Sequence, residues 1–238
     1  MTGMHSFNID ALYRLTPILN TIAKQHVGKE YNPGTSDTVS HSDVDNLVSH
    51  FPPCMRALHY ALRREAHLKH VGRLQYGLFL KGIGLPVEEA LVFWRKAFQK
   101  KTDDEFQKSY AYNIRYNYGM EGSRKNYAPY SCIKIITSNT PGTGDHHGCP
   151  FKHYSPDSLR DTLVNYGAPE SSVNDMVKTA RDGHFQVACT KFFEMTRGKQ
   201  EIGQALSDRG LGMDVIEHPN AWFDLSKNGS EAKMDTTE

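Results

Sequence analysis

Long hydrophobic runs are missing from this sequence. Nothing in its 238 residues approaches the roughly 18 consecutive apolar residues that a membrane-spanning helix needs. The best candidate, residues 76–85, is broken by Lys81, Gly82 and Gly84. The opening Met1-Thr-Gly-Met-His-Ser-Phe7 has no basic stretch leading into an apolar one, so a secretory leader is not expected. Cysteine is also scarce. There are four, at positions 54, 132, 149 and 189, and no pair forms Cys-x-x-Cys. That excludes zinc-ribbon spacing, and without export disulfides are not expected. Strand signals are almost absent, with Cys132-Ile-Lys-Ile-Ile136 the lone short candidate. There is no phosphate-loop motif, no Gly-x-Ser-x-Gly and no catalytic carboxylate set. Asp103, Asp104 and Glu105 read better as the first turn of a helix capped by Thr102 than as a two-metal site. No independent active site is expected.

What remains is a globular composition, 38% apolar and 23% charged, in a length that suits one large domain or two small ones. The periodicity is helical. Leu12, Leu15, Leu19 and Ile22 predict a helix over residues 10–25, and residues 32–42 predict a polar loop. Val44, Leu47 and Val48 predict a short helix ended by Phe51-Pro52-Pro53. Cys54, Leu58, Ala61 and Leu62 then share the face of another. Residues 71–80 fit a helix or an extended segment. Pro86 opens a helix to about residue 100, with Glu88 and Glu89 at its start, Lys96 and Lys100 at its end, and Trp94 among its apolar positions. Further helices are predicted over 155–166, 171–181 and 184–195, and a disordered acidic tail over 226–238. The fold class is mainly α, with irregular connections.

The net charge of +1 hides a segregation. Residues 54–101 carry ten Lys/Arg against three Glu, whereas residues 201–238 carry eight Asp/Glu against three Lys/Arg. A basic segment of this density suits an anionic partner, although a solvated basic helix is the plain alternative. Within it His67 and His70 stand among Arg63, Arg64, Lys69 and Arg73. The surrounding cations disfavour a metal there and favour phosphate, which imidazole and guanidinium groups bind through charge and hydrogen bonds. Tyr110, Tyr112, Tyr116 and Tyr118 alternate with Asn113 and Arg115. Such a run suits stacking on single-stranded bases, or else a tyrosine-rich core helix.

Scattered cysteines are often only small buried apolar residues. Here the context points further. Cys54 follows Phe-Pro-Pro, and Cys149 lies in Gly144-Asp-His-His-Gly-Cys-Pro-Phe151. A Cys-Pro beside a glycine-rich loop is a common way to hold a thiolate at a cluster edge. Four sulfur ligands suit either zinc or an iron–sulfur cluster.

Five motifs carry a resemblance. Phe51-Pro-Pro-Cys-Met55, Arg73-Leu-Gln-Tyr-Gly-Leu-Phe-Leu-Lys-Gly-Ile-Gly-Leu85, Tyr112-Asn-Ile-Arg115, His147-Gly-Cys-Pro-Phe151 and His184-Phe-Gln-Val-Ala-Cys189 occur in this order. Together they resemble the C-terminal domain of the large, regulatory subunit of eukaryotic DNA primase, over residues 13–225, with residues 1–12 as an N-terminal extension. The resemblance implies an irregular multi-helix domain organised around a 4Fe-4S cluster held by Cys54, Cys132, Cys149 and Cys189. It implies binding of the 5′-triphosphate RNA primer on template DNA, in support of initiation, length control and transfer to DNA polymerase alpha. The contacts it implies are His67, Lys69, His70, Arg73, Tyr76, Lys81, Tyr110, Tyr112, Asn113 and Arg115. It implies a nuclear protein of the primosome that is not itself an enzyme. Nucleotidyl transfer would belong to the catalytic small subunit, reached through an N-terminal region that has no counterpart in this sequence. The family's pattern has Arg at 69 and His at 116, where this chain has Lys and Tyr. The alternative is a zinc-stabilised interaction module without a nucleic-acid role.

Overall fold

The computed structural model describes residues 38–197 and 215–235. The helix expected over residues 10–25, and the first part of the loop expected over 32–42, lie outside them. The described residues are helical, with no strand among them.

α1 (Val44–Leu47) runs into a tighter turn at Val48–His50. Pro53 then opens α2 (Pro53–Glu65), where a missing N–H costs nothing because the first helical turn has no partner for it. α3 (His70–Gly82) resolves the segment for which helix and extended readings were both open. α4 (Val87–Ala97) follows Pro86, its acidic first turn and basic last turn aligned with the helix dipole as expected. α5 (Asp103–Phe106) opens with the predicted capping box, in which Thr102 Oγ1 accepts the Glu105 N–H and the Glu105 carboxylate accepts the Thr102 N–H. One π-helical turn (Gln107–Ala111) joins it to α6 (Tyr112–Asn117).

The predicted strand at Cys132–Ile136 is instead a helix, α7 (Cys132–Thr137). Ser131 caps it by accepting the Lys134 N–H, and the Cys132 N–H bonds to Glu217 O at 2.9 Å. Alternating isoleucines favour a strand only where another strand can pair with them, and here only helices surround them. The remaining helices are α8 (Pro150–His153), α9 (Pro156–Asn165), α10 (Glu170–Arg181), α11 (Phe185–Arg197) and α12 (Pro219–Asp235). Residues 226–235 therefore continue a helix and do not form the disordered tail that their polarity suggested. Ser226 is buried, with its Oγ 3.0 Å from His50 Nδ1.

Two apolar clusters hold these helices together. The first gathers Phe51, just before α2, Tyr76 and Phe79 of α3, Phe93 of α4 and Phe98 just after it, and Trp94 lies in it as its apolar position predicts. The second gathers Leu163, Phe192, Phe193 and Trp222 from α8 to α12. α12 serves both, because Phe223 enters the first cluster while Trp222 and Leu225 enter the second. Cys149 packs against both, Cys54 against the first and Cys189 against the second. Cys54, Cys149 and Cys189 thus lie at the seam.

Candidate metal centre and nucleic-acid face

Four cysteines separated by up to 135 positions in the chain line a single cavity, together with Gln186, His218 and Trp222 among others. None is in a disulfide, and each is half-buried. Three of them stand where a helix begins. Cys54 is the second residue of α2, Cys132 the first of α7, and Cys149 the residue that precedes α8. Backbone N–H groups of these first turns reach the sulfurs: those of Cys54 and Met55 at Cys54, and of Phe151 and Lys152 at Cys149. Such donors favour a thiolate. Burial works against it and wins. It pushes the Cys149 thiol up to about 11 and the other three further, with neighbouring sulfurs adding to the rise at Cys54, Cys132 and Cys189. Four thiolates in an apolar cavity therefore require a cation among them. Among the described residues, no three His, Cys, Asp or Glu side chains converge as ligands of one ion. The donor set and its cavity fit a sulfur-ligated group.

Several residues that build this centre carried no sequence signal. Gln75 is buried between the helices and bonds Gly148 twice, its Oε1 accepting the Gly148 N–H at 2.8 Å and its Nε2 donating to Gly148 O at 3.2 Å. That pair fixes the loop before Cys149. Gly148 itself has φ +95°, and a Cβ there would come within 2.7 Å of His153 Nδ1, so the position requires glycine. His153 Nδ1 accepts the Cys149 N–H at 3.0 Å.

The basic and aromatic residues divide into two groups. Lys69, His70, Tyr112 and Asn113 are exposed, and His67, Arg73, Tyr110 and Arg115 are partly so. Arg73 lies 4.9 Å from the Tyr110 ring centre and donates to Leu68 O at 2.7 Å. His67 packs against Phe98 and Tyr110. Burial, and after it the nearby Arg73, lower its pKa. Lys69 pairs with Asp145 at 3.3 Å and donates to Thr143 O. Arg115 pairs with Glu121 at 2.7 Å, and Asn113 bonds back to Ser109 O. Lys69 also stands at the N-cap of α3 without a side-chain cap, so the first-turn N–H groups of a 13-residue helix point out beside His67, His70 and Arg73. Tyr112 stacks on Tyr116, which in turn contacts Tyr127 through paired hydroxyls 2.9 Å apart.

Two expected contacts are corrected. Tyr76 has no exposed surface. It lies in the first core and its hydroxyl donates to His59 Nδ1 at 2.8 Å. Gln75 and Tyr76 both turn inward because α3 is packed on more than one side. Lys81 is spent on the protein. Its ammonium donates to Asn117 O, Tyr127 O and Asn126 Oδ1, which exhausts its three N–H groups and ties down residues 117–127. Burial lowers its pKa to about 8.

Residues 45–223 match the family described as the C-terminal domain of the large subunit of eukaryotic and archaeal DNA primase. The chain is 44% identical over 214 residues to the DNA primase large subunit of Mus musculus, covering 88% of this chain and 40% of that protein. To the human DNA primase large subunit it is 45% identical over 214 residues, covering 88% and 40%. To that of Schizosaccharomyces pombe it is 46% identical over 217 residues, covering 90% and 45%. The chain thus spans less than half the length of these relatives. A helical domain seamed by four cysteines and matched over most of its length, it belongs to the family of C-terminal domains of the DNA primase large subunit.

Proposed function

We propose that this chain is a non-catalytic, nucleic-acid-binding domain that holds a 4Fe-4S cluster and grips the junction between a 5′-triphosphate RNA primer and template DNA. The observation that carries the binding role is the uncapped start of α3. Lys69, His70 and Arg73 surround it, with His67 beside them, and Tyr110 and Tyr112 follow on the next helices. A triphosphate concentrates negative charge in a small volume, which a helix N-terminus ringed by cations accommodates. Tyr112 and Asn113, exposed on α6, offer a stacking face for the adjoining strand.

Cys54, Cys132, Cys149 and Cys189 would hold the cluster. It would supply the positive iron charge that four thiolates need, and electron-transfer capacity in addition. A cluster is favoured over one zinc ion because, among the described residues, no three His, Cys, Asp or Glu side chains are grouped as ligands of a single ion. Tetrahedral zinc, with Zn–S bonds of about 2.3 Å, draws its sulfurs to within about 4 Å of one another. In this reading nucleotidyl transfer is left to the small subunit, and the domain works in the nucleus within primase and its hand-off to DNA polymerase alpha.

The test has two arms. Protein purified without oxygen should be brown and contain about four irons per chain. Stoichiometric zinc in a colourless protein would replace this reading with the zinc-stabilised interaction module. Binding to labelled primer–template should then be compared for 5′-triphosphate and 5′-hydroxyl primers. Arg73→Ala should weaken the former by at least about tenfold, the worth of a charge-assisted hydrogen bond, and the latter much less. Equal losses on both would sink the triphosphate assignment.

A further inference from the structure

Of the buried polar side-chain atoms without a hydrogen-bond partner among the described residues, two belong to the wall of the four-cysteine cavity. They are Gln186 Nε2 and Trp222 Nε1. Both are donors, and indole N–H has no other polar capacity. Buried N–H groups without an acceptor are rare in native proteins and call for a missing partner.

The surroundings restrict what that partner can be. Trp222 is 1% exposed, and its ring is locked between Phe192, stacked at 5.9 Å, and Phe193, edge-on at 4.8 Å, so its N–H cannot swing to water. Gln186 lies one turn before Cys189 on α11, on the same face. Cys189 differs from the other three cysteines in its position. It sits in the interior of α11, where the helix consumes the backbone N–H groups, while first-turn N–H groups serve Cys54 and Cys149.

We propose that Gln186 Nε2–H and Trp222 Nε1–H donate hydrogen bonds to the sulfur of the anionic group held by the four cysteines, on the Cys189 side. This rests on the cluster reading above. The two side chains are positioning and tuning residues. They supply at Cys189 what the backbone supplies elsewhere, and they favour the more negative, reduced form of the group. Hydrogen bonds to cluster sulfur raise its reduction potential.

The experiment uses the full chain, purified without oxygen. Gln186→Met and Trp222→Phe should each retain iron and move the reduction potential to more negative values, with the double variant lowest. Because a variant of a buried tryptophan can fail to fold, the unsubstituted protein is also measured with ¹⁵N in the indole ring. The reduced cluster should then show a ¹⁵N coupling in electron–nuclear double resonance, together with exchangeable deuteron couplings after transfer to heavy water. The only other tryptophan, Trp94, lies in the first core against Tyr76, Phe93 and Phe98, and Trp94→Phe should leave the ¹⁵N signal in place. Iron-loaded protein with unchanged potentials and no ¹⁵N coupling overturns this proposal alone. Protein that takes zinc, or no metal, overturns the cluster reading and this proposal with it.

Discussion

His59 is 4% exposed, yet both ring nitrogens are engaged. Its Nε2 faces the Asp45 carboxylate at 3.3 Å, and its Nδ1 accepts from the Tyr76 hydroxyl. Asp45 can only accept, so Nε2 carries the proton and the ring is neutral. Phe51 and Tyr60 pack against it in T-shaped contacts, and Arg63, paired with the same Asp45, adds repulsion to burial. These hold its pKa at about 4, with burial the larger cause. A base whose folded pKa lies below the unfolded value binds more protons when unfolded. Stability is therefore full above the unfolded value near 6.5 and is lost as pH falls towards 4. This one group should remove about 3 kcal/mol across that window. Urea midpoints measured from pH 7 to 4.5 should fall for the native chain and fall less for His59→Gln. Parallel slopes would show that other groups carry the acid sensitivity.

At the scale of elements, close approach decides more than propensity. Gly82 ends α3 against the start of α12, and a Cβ there would lie 2.5 Å from both Asn220 Nδ2 and Pro129 Cγ. Asn220 is fully buried and donates to Phe79 O at 3.0 Å, so it has no room to retreat. Gly82→Ala should destabilise the domain by about 1–3 kcal/mol through overpacking, in spite of alanine's better helix propensity. A shift of the denaturation midpoint in the stabilising direction would contradict this. Gln75→Leu should cost about 2 kcal/mol, because it leaves the Gly148 N–H and C=O buried without partners. With the proposed cluster in place it should also speed iron loss to a chelator, since Gly148 precedes Cys149. Tyr112 is 46% exposed while Tyr110, two residues earlier and so on the other side of the helix, stays against Phe98.

For the whole molecule, Cys149 packs against both apolar clusters, Cys54 against the first and Cys189 against the second, so a group held by these sulfurs would tie the two clusters together. If the proposed cluster is held there, removing it should act on both, and its oxidative loss is expected to lower the thermal midpoint and broaden the transition, as one cooperative unit begins to divide along the seam. An unchanged, sharp transition in the iron-free chain would mean that the apolar clusters suffice. Binding to primed DNA should weaken steeply with salt, every phosphate neutralised by the protein adding about 0.7–0.9 to the slope of log K against log salt. Lys81→Met should leave that slope unchanged, because its half-buried ammonium is held in place by three oxygens of residues 117–127, whereas Lys69→Met, at an exposed ammonium whose pair with Asp145 can open, should reduce it.

The sequence alone determined the helical class, the capping box at Thr102, the proline that opens α2 and the five motifs that place the chain in its family. These features are local: a period of 3.6, a cap three residues from its partner, a short run of residue types. It also marked the four cysteines, but their spacing left zinc and iron–sulfur equally open. Only the tertiary structure brought residues 54, 132, 149 and 189 to one cavity, turned the isoleucines of residues 132–136 into a helix and drew Tyr76 and Lys81 away from the basic face. It alone placed Gln75, Gln186 and Trp222 around the centre. Burial and long-range hydrogen bonds depend on which distant surfaces meet, and no periodicity within a single segment encodes that meeting.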